Sequence, residues 1–158
     1  LRVPGGVWRV KMFQAYGANP SPMPFSEVYS ALQQGVMDGQ ENPFPQIWSA
    51  KFHEVQKFLS LTGHVYTPAY LIVNEDFWRK LPKDVQDTIS KIAWATGDFA
   101  RSEGERLDKE LISKLAPPMQ VNEPNKDLFI KASGAVYEEF GREIAGGAEL
   151  VKLVQSLR

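Results

Sequence analysis

Few side chains in these 158 residues are placed so as to do chemistry, and the best placed of them is Arg2. A guanidinium is always charged, and its planar fork matches a carboxylate in a two-point contact. Arg2 stands in Leu1-Arg2-Val3-Pro4, a strand-like alternation that runs straight into the turn residues Gly5-Gly6. At the carboxyl end of a strand it would lie where open α/β sheets bind ligands. The plainer reading is a surface arginine close to a terminus. Asn42 belongs to the polar loop Asp38-Gly39-Gln40-Glu41-Asn42-Pro43. Its amide offers a donor and an acceptor to a carboxylate or hydroxyl. It could equally cap a helix that begins at Pro43, and an anion could share that helix N-terminus. Gln40 is a second amide candidate in the same loop. Phe25 offers either an apolar wall for a ligand's carbon skeleton or ordinary core. Trp48 and Phe44 are further aromatic candidates.

The usual catalytic templates find no match. His53 and His64 are not in an H-E-x-x-H arrangement, and neither has a metal-ligand partner four residues on. Both read as surface or loop histidines. Gly5-Gly6 and Gly146-Gly147 fit neither the dinucleotide fingerprint nor the P-loop, and no G-x-S-x-G elbow occurs. The absence of cysteine excludes disulfides, thiolate nucleophiles and Cys-containing zinc sites. With 18 basic and 19 acidic residues the net charge is −1, too small a field to recruit nucleic acid or anionic lipid. Apolar runs such as Tyr70-Leu71-Ile72-Val73 are far too short to cross a bilayer. No enzyme, metal or redox cofactor is indicated.

The elements that must position these residues alternate in type. After the first short strand, Val7, Val10, Met12, Phe13 and Tyr16 recur at helical spacing, closed by Gly17 and Asn19. Pro20-Ser21-Pro22-Met23-Pro24 reads as an extended edge segment. Ser26 is placed to cap a helix with Val28, Tyr29 and Leu32 on one face and Gly35 as its stop. Val36-Met37 reads as a short β segment leading into the polar loop. Val55–Leu61 and Tyr70–Val73 are strand candidates, and Asn74 caps a short helix that Leu81-Pro82 ends.

Val85, Ile89, Ile92, Thr96, Phe99, Leu107 and Leu111 then mark one long helix, continuing to Leu115 before Pro117-Pro118. Roughly 33 residues at 1.5 Å each make it about 50 Å long, with Gly97 and Gly104 as points of bending. A helix of that length exceeds what a small lobe can cover. Met119–Asn122 reads as a strand, and Asp127–Ile144 and Ala148–Leu157 as closing helices. The pattern is α/β, a sheet covered by helices. A chain that opens inside an apparent strand also reads as a piece of something longer.

Leu1-Arg2-Val3-Pro4, then Gly17-Ala18-Asn19-Pro20, Pro22-Met23-Pro24-Phe25-Ser26-Glu27-Val28-Tyr29 and Ala31-Leu32-Gln33-Gln34-Gly35, resemble the periplasmic solute-binding proteins of TRAP transporters, the DctP family. The likeness continues through Asp38–Pro43 and Lys51-Phe52-His53-Glu54-Val55-Gln56-Lys57, and more loosely beyond. It implies the C-terminal half of a two-lobed, type II-like binding protein, with a mixed sheet flanked by helices and a long lobe-spanning helix. On that plan residues 1–55 form the ligand-lobe core, 56–81 the inter-lobe strands and short helix, 82–116 the bracing helix, and 117–158 the terminal strand and helices. The resemblance further implies a periplasmic receptor that closes on a small organic acid and delivers it to membrane permease subunits. A domain that reports ligand to a signalling system is the alternative on the same fold.

By the resemblance, Arg2 forms the salt bridge to the ligand carboxylate, while Asn42 and Phe25 line the cleft. Such a contact is worth roughly 1.5–3 kcal/mol. The segment around Tyr66–Val73 would pair with the lobe this chain lacks. Left unpaired, it should expose a sheet edge and form a homodimer through residues 56–73.

Overall fold

The computed structural model describes residues 1–157. Strand β1 (Arg2–Val3) is buried at both residues and pairs in parallel with β2 (Ser21–Pro22), in the register Arg2↔Ser21 and Val3↔Pro22. Parallel neighbours need a crossover rather than a tight hairpin, and helix α1 (Val7–Ala15) supplies it. Gly17 then turns the chain with φ +83, a conformation that a Cβ would strain. Pro22 lacks an N–H, which suits the outer strand of the pair.

Two local expectations fail in the next stretch. Ser26 caps nothing: it lies inside a 3₁₀ turn, Phe25–Glu27, that runs directly into α2 (Val28–Gln33). The cap position of α2 falls on Glu27 without a side-chain bond. Val36-Met37 is not a strand. Gly35, at φ +71, stops α2, and the N–H groups of Val36 and Met37 both donate back to the Ala31 carbonyl, at 2.9 and 3.2 Å. Satisfying the helix end takes those donors away from any sheet. The β contact comes later, where Gln40 forms a parallel bridge to Arg2.

Helix α3 (Phe44–Ser49) and a 3₁₀ turn, Phe52–Glu54, lead to β3 (Phe58–Ser60). β3 pairs in parallel with β4 (Gln120–Asn122). Among the described residues the sheet is therefore not one mixed layer but two separate parallel pairs. The core forms around Val28, Leu32, Ile47, Phe52, Leu59, Leu115 and Met119. At about 25 cal/mol per Å² of apolar surface, each fully buried side chain of this kind contributes about 1.5–3 kcal/mol.

The short helix α4 (Glu75–Lys80) has the cap expected of it, since Asn74 Oδ1 accepts from the Phe77 N–H at 2.9 Å. Helix α5 (Lys83–Leu115) runs 33 residues without interruption at Gly97 or Gly104. Only its last turns reach the core, through Leu111 and Leu115. Upstream, Val85, Ile89, Ile92, Trp94 and Phe99 face solvent. Ion pairs one turn apart, among them Lys83–Asp87 and Glu103–Arg106, support this part of the helix. Tyr70–Val73 is not a strand, because nothing among the described residues pairs with it, and its side chains are exposed.

The closing helical stretch is two helices rather than one. α6 (Lys126–Ala132) and α7 (Gly134–Glu143) part at Ser133. Its hydroxyl donates to the Phe129 carbonyl at 2.8 Å and accepts from Tyr16 Oη at 2.9 Å. A serine that bonds back to the preceding turn competes with the helix ladder there. α8 (Gly147–Ser156) folds back onto α7 so closely that a Cβ on Gly147 would stand 2.6 Å from the Phe140 carbonyl oxygen. Lys11 of α1 ties this pair to the rest through Glu139 at 2.6 Å and Glu143 at 3.5 Å.

Candidate functional site

Arg2 is not a surface arginine, being only 4% exposed. Its Nε and Nη2 donate to one acceptor, the Met23 carbonyl, at 2.9 and 2.7 Å. That bond follows from the parallel register, which carries the chain past Arg2 from Ser21 to Pro24. Among the described residues no carboxylate pairs with Arg2, and its Nη1 has no protein partner. Burial pushes the guanidinium below its ordinary pKa, and the negative charge of Glu41 partly restores it. An arginine keeps its proton regardless. The result is a partly desolvated cation with no direct ion pair and one nitrogen left open toward the hollow.

Phe25 stands beside it. Its ring centroid is 6.0 Å from Arg2 Cζ, its ring packs tilted against Phe52 with centroids 5.5 Å apart, and it remains 44% exposed. The two residues line an open hollow with Gly5, Pro22, Met23 and Pro24. The polar loop reaches the same strand from the other side. The Arg2 N–H donates to the Gly39 carbonyl at 2.8 Å, and Gln40 is the bridge partner of Arg2. Cα partners in a ladder point their side chains to one face. Arg2 and Gln40 therefore share a face.

Asn42 takes neither of its sequence-based roles outright. Its Nδ2 donates to Gln40 Oε1 at 2.6 Å, while Pro43 occupies the cap position of α3 and no side chain caps that helix. The amide pair lines a larger hollow of about 940 Å³, with Phe44 among its walls. Trp48 lines neither hollow. Its ring lies flat on His53, 4.7 Å away, with the Lys114 ammonium 5.8 Å from its centroid. Arg2 and Phe25 thus line one hollow and Gln40 and Asn42 another, the two linked through the Arg2–Gln40 bridge, while Trp48 lines neither.

One cluster had no signal in the sequence. Glu41, only 10% exposed, receives Arg9 Nη1 at 3.2 Å and His64 Nε2 at 3.1 Å. Its neighbour His64 is 15% exposed, holds Thr62 Oγ1 at 2.6 Å through Nδ1, and packs on the Phe13 ring. His64 is therefore a half-buried, bonded histidine within a loop. His53 keeps a buried Nδ1 without a partner beneath Trp48. Among the described residues there is no group of three metal-ligating side chains, and no helix is long and apolar enough to cross a membrane.

The chain can now be compared with known proteins. The sequence profile for bacterial extracellular solute-binding protein, family 7 (DctP), matches residues 1–143. The chain is 38% identical over 145 residues to the sialic acid-binding periplasmic protein SiaP of Vibrio cholerae, covering 91% of this chain and 45% of SiaP. It is 34% identical over 161 residues to the 2,3-diketo-L-gulonate-binding periplasmic protein YiaO of Escherichia coli, covering all of this chain and 49% of YiaO. The crystal structure of a TRAP periplasmic solute-binding protein from Polaromonas sp. JS666, bound to D-erythronate, superposes with a TM-score of 0.88 at 38% identity. That match covers 98% of this chain and 51% of the other. The chain spans about half the length of the relatives it matches. With the profile covering nearly all of it and the fold reproduced, the chain belongs to the DctP family of bacterial extracellular solute-binding proteins.

Proposed function

We propose that this chain carries the carboxylate-gripping lobe of a periplasmic receptor for a small organic acid, with Arg2 as the anchor. One observation supports this above the rest: Arg2 is only 4% exposed, and among the described residues no carboxylate forms an ion pair with it. Met23 fixes the fork in place, so a ligand carboxylate meets a donor that is already oriented. Phe25 offers its exposed ring to the ligand's carbon skeleton, and Gln40 and Asn42 offer amides to hydroxyls or to the second carboxylate oxygen. Trp48, stacked on His53, contributes to such a site only if the lobes close over it. Sialic acid, 2,3-diketo-L-gulonate and D-erythronate, named for the relatives, are all hydroxylated carboxylic acids. They favour an acid of that kind here.

On the same reading the protein works in the periplasm and hands its acid to TRAP membrane permease subunits. The apolar surface along 65–73 serves as a packing face, and in the 158-residue chain by itself it joins two copies.

The test is isothermal titration with sialic acid, 2,3-diketo-L-gulonate, D-erythronate and succinate, on the protein and on Arg2→Lys and Arg2→Ala. At least one acid should bind. Arg2→Lys keeps the charge and loses the fork, so it should bind about tenfold to a hundredfold more weakly. No heat from any acid, or equal affinity in both arginine variants, would overturn the assignment.

A further inference from the structure

The binding loop raises a mechanical question. Residues 38–43 belong to no helix or strand apart from the bridge at Gln40, yet they carry both amides that the proposed function assigns to the ligand. One backbone bond, Arg2 N–H to the Gly39 carbonyl, holds its front end. Past Gln40, the next hold is the side chain of Glu41, which sits between the two amide residues and is gripped by Arg9 and His64.

There its carboxylate meets two different elements. Arg9 Nη1 on α1 is 3.2 Å from each oxygen. His64 Nε2, in the turn after β3, is 3.1 Å from Oε2. The carboxylate can only accept, so Nε2–H of His64 donates to Glu41, while Nδ1 shares a 2.6 Å hydrogen bond with Thr62 Oγ1. Every arm of this cluster is largely shielded from solvent, so its bonds are worth more than surface ion pairs, and losing one partner leaves the others unpaired.

We propose that Glu41 is the positioning residue of the binding loop. Anchored to α1 through Arg9 and to the turn after β3 through His64, it sets the Gln40–Asn42 amide pair beside the Arg2 strand. Glu41 itself touches no ligand. The inference rests on the receptor reading, because it assigns Glu41 a role in binding rather than in folding alone. It also joins two parts of the molecule by one residue: the loop that reads the acid, and the point from which residues 65–73 leave the lobe.

The experiment is a double-mutant cycle in the intact protein, using whichever acid of the panel above binds. Glu41→Gln keeps the size of the side chain and removes its charge, and Asn42→Ala removes one amide. Alone, Glu41→Gln should weaken binding about tenfold, because the amides lose their placement. In the Asn42→Ala background the same change should cost less than about twofold, since the group being positioned is already gone. A purely structural ion pair would lower the melting midpoint while leaving the two affinity losses additive, and that result overturns the proposal. So does unchanged affinity in Glu41→Gln. If Glu41→Gln does not fold, Arg9→Lys and His64→Gln each release one anchor and enter the same cycle. Failure of the receptor reading would look different: no acid would bind the parent at all, or the Arg2 variants would bind as well as it does.

Discussion

At the scale of single residues, the decisive contrast is between Arg2 with Phe25 and Trp48. All three are plausible ligand contacts by residue type, but their surroundings differ. Phe25 has one face on Phe52 and stands near the Arg2 fork, whereas the Trp48 ring is covered by His53. Phe25→Ala should therefore weaken acid binding by titration, with a modest loss of stability. Trp48→Ala should do the reverse: it forfeits an aromatic stack worth about 0.5–1.5 kcal/mol in a melting experiment and leaves acid affinity unchanged. A large affinity loss in Trp48→Ala would show that the ring turns toward the ligand. Strand, turn and loop context makes Arg2, Phe25 and Asn42 candidates, and the resemblance to the DctP family lifts them above their plainer readings. The sequence could not reveal the Arg9–Glu41–His64 cluster, whose members lie 32 and 23 positions apart and meet only through the fold. His64 reads as an ordinary loop residue until Glu41 and Phe13 are seen against it.

At the scale of elements, local chemistry predicted well wherever the competing interactions were also local. The Asn74 cap, the Gly35 stop and the uninterrupted 33-residue α5 depend on bonds within a few residues, and all are present. Ser26 is the exception, overridden by a local turn, and the stretch 127–144 depends on a tertiary partner. Pro24 starts a 3₁₀ turn ahead of α2, and Tyr16 draws Ser133 into a bond at the point where α6 gives way to α7. The junction of α1 with α7 offers a test of the same kind. The Lys11 bond holds the Glu139 carboxyl below its ordinary range, and the Glu139 bond raises Lys11 above its own. A depressed carboxylate contributes stability that is present above its unfolded pKa and lost as pH falls through the folded one. A raised lysine contributes stability that is present below its unfolded pKa and lost as pH rises through the folded one. Lys11→Met should therefore melt below the parent near neutral pH. The gap should close below the ordinary carboxylate range, and again above the lysine range. A gap of constant size from acid to neutral pH would assign the effect to packing of Trp8 on Phe140 instead.

At the scale of the whole molecule, the family was legible because F-S-E-V-Y and D-G-Q-E-N-P occur together, but the broken sheet was not. A short apolar run can propose Tyr70–Val73 as a strand, yet a strand exists only with a partner, and the described residues offer it none. Tyr66 and Ile72 are 88% and 86% exposed, with Tyr70 and Leu71 between them equally bare and Phe77, Ile92 and Trp94 open on the helices that follow. A continuous apolar surface of this kind is rarely left to water. The part of the expected dimer segment nearest its start is already committed, since Phe58–Ser60 pairs with β4. The free portion begins at Val65. In sedimentation velocity the 158-residue chain should therefore shift from monomer toward dimer as concentration rises. Ile72→Lys, which puts a charge on the unpaired edge, should move that transition to higher concentration, while Lys57→Glu beside the paired strand should not. A monomer at every concentration would mean that residues 65–73 fold back and shield one another in solution.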